Sequence, residues 1–156
     1  MADDFAAQIK AFRDKALLNA NTVVQEATAG IAAALVERTP IDKTPLRANW
    51  QFTVGAPGSE ADYTLEDHSP GGSETAGQMA AQIREVPAGG VTYIVNCLEY
   101  MSLIEYGLYT NIRGGKRSSG KTINGFSTQA PAGVRSITAI EWEESFVKPA
   151  IAKLSI

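Results

Sequence analysis

The sequence is short of the residues on which most enzymes and secreted proteins depend. It has one cysteine, Cys97, so no internal disulfide can form, and its place in the apolar run Val91–Leu98 reads as a small buried core residue. It has one histidine, His68, in the polar stretch Glu66-Asp67-His68-Ser69-Pro70. One imidazole with only Asp62, Glu66 and Asp67 nearby makes a poor metal site, and no serine has an evident base beside it. An exposed loop histidine is expected, with no cofactor and no metal. No apolar run approaches the ~20 residues of a membrane helix, so no membrane partner is expected. The start, Met1-Ala2-Asp3-Asp4, lacks both the basic and the apolar part of a secretory leader, which points to a cytoplasm or to something assembled there. Neither charge dominates: 14 Lys and Arg against 17 Asp and Glu leave −3, so bulk charge does not draw the chain to a polyanion. Internal repeats and a disordered tail are also missing.

What remains is an ordinary globular composition, 44% hydrophobic and 20% charged, in 156 residues. That length supports one domain, 1–156, with its own core. Phe5, Ile9, Phe12, Ala16, Val23, Ala27, Ile31 and Leu35 recur at helical spacing and predict one long helix, or two joined with a bend at Asn19–Thr22 or Gly30, over about 3–38, capped by Asp3 or Asp4. Such a helix exceeds what a small domain needs to cover its sheet, so part of its stripe is expected to meet another chain. Thr39-Pro40 ends it, and Thr44-Pro45 is expected to keep the next turn extended. Ala48, Trp50, Phe52 and Val54 alternate with polar residues and predict a half-buried strand.

A polar loop over 55–72 leads to a helix from Ser73 to about Arg84, with Ser73 as its cap. Pro87-Ala-Gly-Gly predicts a turn and Val91–Asn96 a second strand. Leu98–Tyr106 predicts a short helix with Gly107 in the left-handed position beyond it. The basic, glycine-rich stretch of about 108–129 reads as a loop or extended hairpin. A last helix is expected over about 132–154, with Pro131 near its first turn and Pro149 kinking it. The fold class is α+β: a small, mainly antiparallel sheet packed by a long N-terminal helix, a short middle helix and a C-terminal helix.

One motif suggests an enzyme. Gly115-Lys-Arg-Ser-Ser-Gly120-Lys121-Thr122 fits the phosphate-binding pattern G-x-x-x-x-G-K-[ST]. That chemistry needs a buried strand before the loop, a helix starting at the lysine, and an acid for Mg²⁺. Tyr109–Arg113 is no buried strand, Gly125 and Pro131 spoil a following helix, and a chain this short has little room for a nucleotide-binding sheet. The three glutamates Glu141, Glu143 and Glu144 read as a solvated face. Two charge clusters survive as contact candidates. Arg113, Lys116, Arg117 and Lys121 form a basic stretch without an acid, and Glu60, Asp62, Glu66 and Asp67 form an acidic one without a base. The basic stretch 113–121 also leaves open a DNA-binding reading.

Three segments carry a family resemblance. Thr39-Pro40-Ile41-Asp42 followed by Leu46-Arg47-Ala48-Asn49-Trp50 resembles the TPVDTG…LR.nW signature of neck and tail-completion proteins of siphovirus-type tailed phages. Tyr100–Gly107, with Glu105 and Tyr106, is similar to the family's YaqrlEyG segment. Phe126–Val134, with Gln129, Ala130, Pro131 and Gly133, is similar to its fSkQAPaGmv segment. Lys43-Thr44 departs from the family's Thr-Gly, so a glycine-dependent turn is not carried over. The residues also have plain structural readings. Pro40 and Asp42 shape the exit from the long helix, Trp50 is a core aromatic, Gly107 ends a helix, and Arg47 and Glu105 are candidates to pair. The resemblance implies a structural virion protein at the head–tail junction, without catalysis. It implies a hexameric ring around the DNA channel, in contact with other neck, connector and tail-tube proteins and close to packaged double-stranded DNA.

Overall fold

The structure, a computed structural model, describes residues 2–41, 45–109, 112–113, 116–117 and 122–154. It is α+β. Helix α1 runs unbroken from Ala2 to Arg38, about 55 Å at 1.5 Å per residue. Asp3 and Asp4 lie inside it and not ahead of it, and the Asp4 carboxylate accepts a bond from Gln8 Nε2 (3.2 Å). A short helix α2 (Pro45–Ala48) leads into strand β1 (Trp50–Val54). Pro45 therefore opens a helical turn where an extended one was expected. The fixed φ of proline suits a first helical position, which has no use for its missing N–H.

Strand β1 pairs antiparallel with β2 (Thr92–Asn96), Trp50 opposite Asn96 and Val54 opposite Thr92. Trp50 and Phe52 face the core as the alternation predicts, whereas Val54 is exposed at the end of the ladder. Between the strands, α3 (Ser73–Arg84) packs along α1. Its buried residues Thr75, Met79 and Ile83 recur at steps of four, one stripe of the helix. Helix α4 (Met101–Tyr106) follows β2.

The core is one cluster. Ala32, Leu35 and Val36 of α1 meet Leu46, Trp50, Phe52, Met79, Ile83, Leu98, Met101, Ile104, Ala130 and Val134. Truncating a fully packed member such as Ile83 to alanine is expected to cost about 2–5 kcal/mol. Cys97 is not part of it: the side chain is half-buried and its thiol donates to the Gly58 carbonyl (3.3 Å).

After α4 the chain forms two small antiparallel ladders. Strand β3 (Ile112–Arg113) pairs with β4 (Lys116–Arg117), and β5 (Thr122–Ile123) with β6 (Phe126–Ser127). The described residues of the basic stretch thus pair as ladders, which fits the hairpin, one of the two forms expected.

The C-terminal helix is shorter and more broken than its sequence suggests. Helix α5 (Arg135–Ile140) starts beyond Pro131, a π-helical turn covers Trp142–Val147, and α6 spans Lys148–Ala152. Proline lacks an N–H and its ring crowds the carbonyl four residues back. A widened turn just before Pro149 removes that conflict. These helices lie against α1, with Phe146 beside Gly30 and ion pairs Arg38–Glu141 and Glu26–Lys153.

Candidate functional site

The family-motif residues sit where the three sequence-distant segments are tied together. Thr39, Pro40, Arg47 and Trp50 are all buried at the end of α1. The Arg47 guanidinium donates to the carbonyls of Val36 (3.2 Å), Glu37 (3.4 Å) and Thr39 (3.2 Å). A cation on the last carbonyls of a helix satisfies orphan acceptors and meets the negative end of the helix dipole. Trp50 Nε1 donates to Thr39 Oγ1 (2.8 Å), which itself donates to the Leu35 carbonyl (2.7 Å).

Glu105 does the complementary job at a helix start. Its carboxylate accepts from the backbone N–H groups of Val134 (3.0 Å), Arg135 (2.8 Å) and Ser136 (2.8 Å), and from Ser136 Oγ (2.5 Å). Burial alone would raise the Glu105 pKa, but these bonds outweigh it and hold the carboxyl below its usual range. Arg47 and Glu105 therefore do not pair, because each is committed to the end of a different helix.

Gln129 completes the tie. Its Oε1 accepts from the Ile41 N–H (2.8 Å) and its Nε2 donates to the Ile41 carbonyl (3.4 Å). The third segment thus grips the first next to Asp42. Asp42, Lys43 and Thr44 lie outside the described residues. Ala130 is buried in the core and Pro131 is exposed. Tyr106 is exposed, its hydroxyl accepting from Arg135 (2.9 Å).

Two glycines have conformational reasons. Gly107 takes φ +63° at the end of α4, and a Cβ there would sit 2.4 Å from the Phe126 ring. Gly133 takes φ +76°, and its Cβ would sit 2.8 Å from the Glu105 carbonyl oxygen.

The acidic loop divides by role. Glu60, Asp62 and Glu66 are exposed, while Asp67 is buried. Asp67 accepts from the N–H and Oγ of Ser69 and from the N–H (3.0 Å) and Oγ1 (2.6 Å) of Thr75, and Ser69 Oγ accepts the Glu74 N–H. Burial opposes ionisation, yet these four bonds bring its pKa down to about 2. Asp67 and Ser69 thus cap α3, and Ser73, read as the cap from sequence, is its first helical residue. Asp62 closes a local turn on Thr64, and its backbone is clasped by Asn49, whose Oδ1 and Nδ2 bond the Asp62 N–H (2.8 Å) and carbonyl (2.7 Å). Asn49 is fully buried, although the alternation of the strand reads it as outward-facing. His68 is exposed beside Glu66, as expected (2.9 Å).

In the basic hairpin Arg113 stands opposite Lys116 in the ladder, and Ile112 opposite Arg117. Gly115, Gly120 and Lys121 lie outside the described residues. Thr122, where the phosphate-binding pattern requires a helix, begins strand β5. Among the described residues, no helix begins where the phosphate-binding pattern requires one. Among the described residues no group of histidine, cysteine and carboxylate side chains could hold a metal ion. A groove of about 320 Å³ beside β2 and α4 is lined by residues including Trp50, Asn96, Met101 and Arg135.

The first half of α1 is uncovered. Residues 4–18 are all exposed, including Phe5 (65%), Ile9 (54%) and Phe12 (75%). Among the described residues, the long-range bonds of α1 begin at Asn21, which accepts the Ala88 N–H, and Gln25, which donates to the Arg84 and Val86 carbonyls. No helix among the described residues is long and apolar enough to cross a membrane.

A search of the curated proteins found no match to this chain, and neither did a search of the solved structures. A family model, described as "Bacteriophage HK97-gp10, putative tail-component", matches residues 3–107, taking in the first two motif segments and ending at Gly107. That is more than half of the chain, and with the tied motif residues it leads to one conclusion: the chain belongs to the HK97-gp10-like family of phage tail components.

Proposed function

We propose that this chain is a structural subunit of the phage neck, completing the tail or joining it to the head as one member of a ring around the DNA channel. The coarser part, a bacteriophage tail component of the virion, follows from family membership. The observation that carries the proposal is the uncovered first half of α1. A helix exposing Phe5, Ile9 and Phe12 to water belongs in an assembly that covers them. The neck position rests on the three ordered segments, the last of which, 126–134, lies beyond the family match.

The motif chemistry fits structural work. Arg47, Glu105 and Gln129 tie helix ends and loops, and their bonds go mostly to backbone groups, with Ser136 Oγ a further partner of Glu105 where it borders the groove. In a ring, one face of a subunit meets a different face of the next. Glu60, Asp62 and Glu66 on one loop and Arg113, Lys116 and Arg117 on the hairpin, with Lys121 just after it, are proposed as opposite halves of such a contact. Asp67 drops out of this set, because its oxygens hold α3.

Localisation in purified particles tests the reading. Labelling or reconstruction should place the chain at the head–tail joint, and its absence there, or distribution along the tail tube, refutes it. Reversing the hairpin charges should weaken assembly, and reversing the acidic loop as well should restore it. If the hairpin meets DNA instead, DNA binding will fall steeply with salt.

A further inference from the structure

We propose that the last part of the chain, residues 142–154, is a strap that opens off α1 as one unit, with Glu141 as its hinge, while α5 stays in place. The C-terminal segment is held very differently on the two sides of Glu141. Ahead of it the attachment is deep. Val134 and Thr138 are buried, at 0% and 2% exposure. Glu105 holds the first turn of α5 through the N–H groups of Val134, Arg135 and Ser136, and Arg38 of α1 donates to Thr138 Oγ1 (2.9 Å).

Beyond Glu141 the attachment is thin. Among the described residues of 142–154, Ala150 alone is buried; Phe146, Val147 and Leu154 are half-buried, and Trp142 and Ile151 are exposed. Phe146 lies beside Gly30, and the ion pair Glu26–Lys153 reaches α1. The side chains of that pair are 39% and 64% exposed, so it adds little. The pair Lys148–Glu144 lies within the strap and ties it to nothing else. A segment with so few buried apolar contacts opens at a lower free energy than the whole fold. The core cluster has no member beyond Val134, so opening leaves it intact.

The backbone changes form at the same place. Glu141 (φ −89°, ψ 0°) lies off the helical values. The π-helical turn follows, in which the Lys148 N–H bonds the Glu143 carbonyl five residues back, and Pro149 has no N–H to give. Arg38, bonded to Thr138 and paired with Glu141, fixes the hinge and not the strap.

Opening uncovers one face of α1. Asn21 and Gln25 bond the chain just after α3, whereas Glu26 and Gly30 face the strap. With the strap closed, α1 is bare over residues 4–18; with it open, the bare surface extends on this side toward Gly30.

Amide hydrogen exchange of the full-length chain, read residue by residue, tests this. The Ser145 and Lys148 N–H groups bond the Glu141 and Glu143 carbonyls inside the strap, and the Thr138 N–H bonds the Val134 carbonyl in α5. Ser145 and Lys148 should share one protection factor, at least ~100-fold below those of Met79 and Ile83 in α3, with Thr138 protected like α3. Phe146→Ala removes the largest side chain between strap and helix. It should speed Ser145 and Lys148 together by about tenfold or more and leave Thr138 unchanged. Three results overturn the proposal: strap amides as slow as those of α3, protection that declines steadily toward Leu154 as in simple fraying, or Thr138 speeding up equally in Phe146→Ala. The first two are read on wild type and do not depend on the variant folding.

Discussion

Replacing Glu105 by alanine should unfasten α5 from α4. The carboxylate holds three backbone N–H groups and one hydroxyl in the first turn of α5. Arg135 and Ser136 are exposed and can find water once it is gone, whereas Val134 is fully buried and its N–H cannot. Losing an N-terminal cap costs about 0.5–2 kcal/mol, and stranding a buried donor costs about 1–3 kcal/mol more. The expected total is about 3 kcal/mol, or about 6–12 °C in Tm for a chain of this size. Urea unfolding at pH 7 measures it directly. Glu105→Gln keeps the shape but loses the charge and turns an NH₂ toward donors, so it should fall between the two. Acid supplies a second readout. The folded carboxyl ionises below its ordinary range, so its contribution is fully present above about pH 4.3, the unfolded value, and is lost as pH falls through the lower folded value. The stability gap between wild type and Glu105→Gln should therefore close below about pH 4. A loss under about 1 kcal/mol for Glu105→Ala, or a gap independent of pH, would refute the capping argument.

Three further outcomes are expected. Asp67→Asn should lower stability at pH 7 by about 2 kcal/mol; because the Asp67 pKa is about 2, wild type should lose that advantage between about pH 4 and pH 2, as acid titration followed by circular dichroism would record. Trp50→Phe should cost about 1–2 kcal/mol through the lost bond to Thr39, and its remaining fluorescence should be that of the exposed Trp142, red-shifted relative to wild type. Gly107→Ala should cost about 2–3 kcal/mol in thermal unfolding, since φ +63° strains alanine and its Cβ meets the Phe126 ring; Phe126→Leu in the same chain should recover part of it.

Features set by local periodicity were legible in the sequence. The stripe from Phe5 to Leu35 predicts α1, Trp50 and Phe52 predict a core-facing strand, and Gly107 predicts a helix end. What could not be read are polar bonds that span the chain. Asp67 reaches forward eight residues to Thr75, and Glu105 about thirty to α5, and no spacing rule marks either as a cap. Asn49 looks outward by alternation, yet the first residue before β1 is turned in to hold the acidic loop. Arg47 and Glu105 look like an ion pair because opposite charges invite pairing, but helix ends offered each several bonds at once. The π-helical turn at Trp142–Val147 escaped because Pro149 disturbs the helix ahead of itself, over the preceding turn.

The way α1 is held has a consequence for how the chain becomes folded. Its C-terminal half is joined to Val86 and Ala88 through Gln25 and Asn21, and to Glu141 and Lys153 through Arg38 and Glu26. During synthesis α1 is complete at Arg38, about a hundred residues before the C-terminal helices begin at Arg135. Contacts so distant in sequence form slowly, because a long loop must be ordered before they reward it. One side of α1 is therefore covered once α3 is made and the other only when the C-terminal helices follow, so the helix made first is the last to be finished.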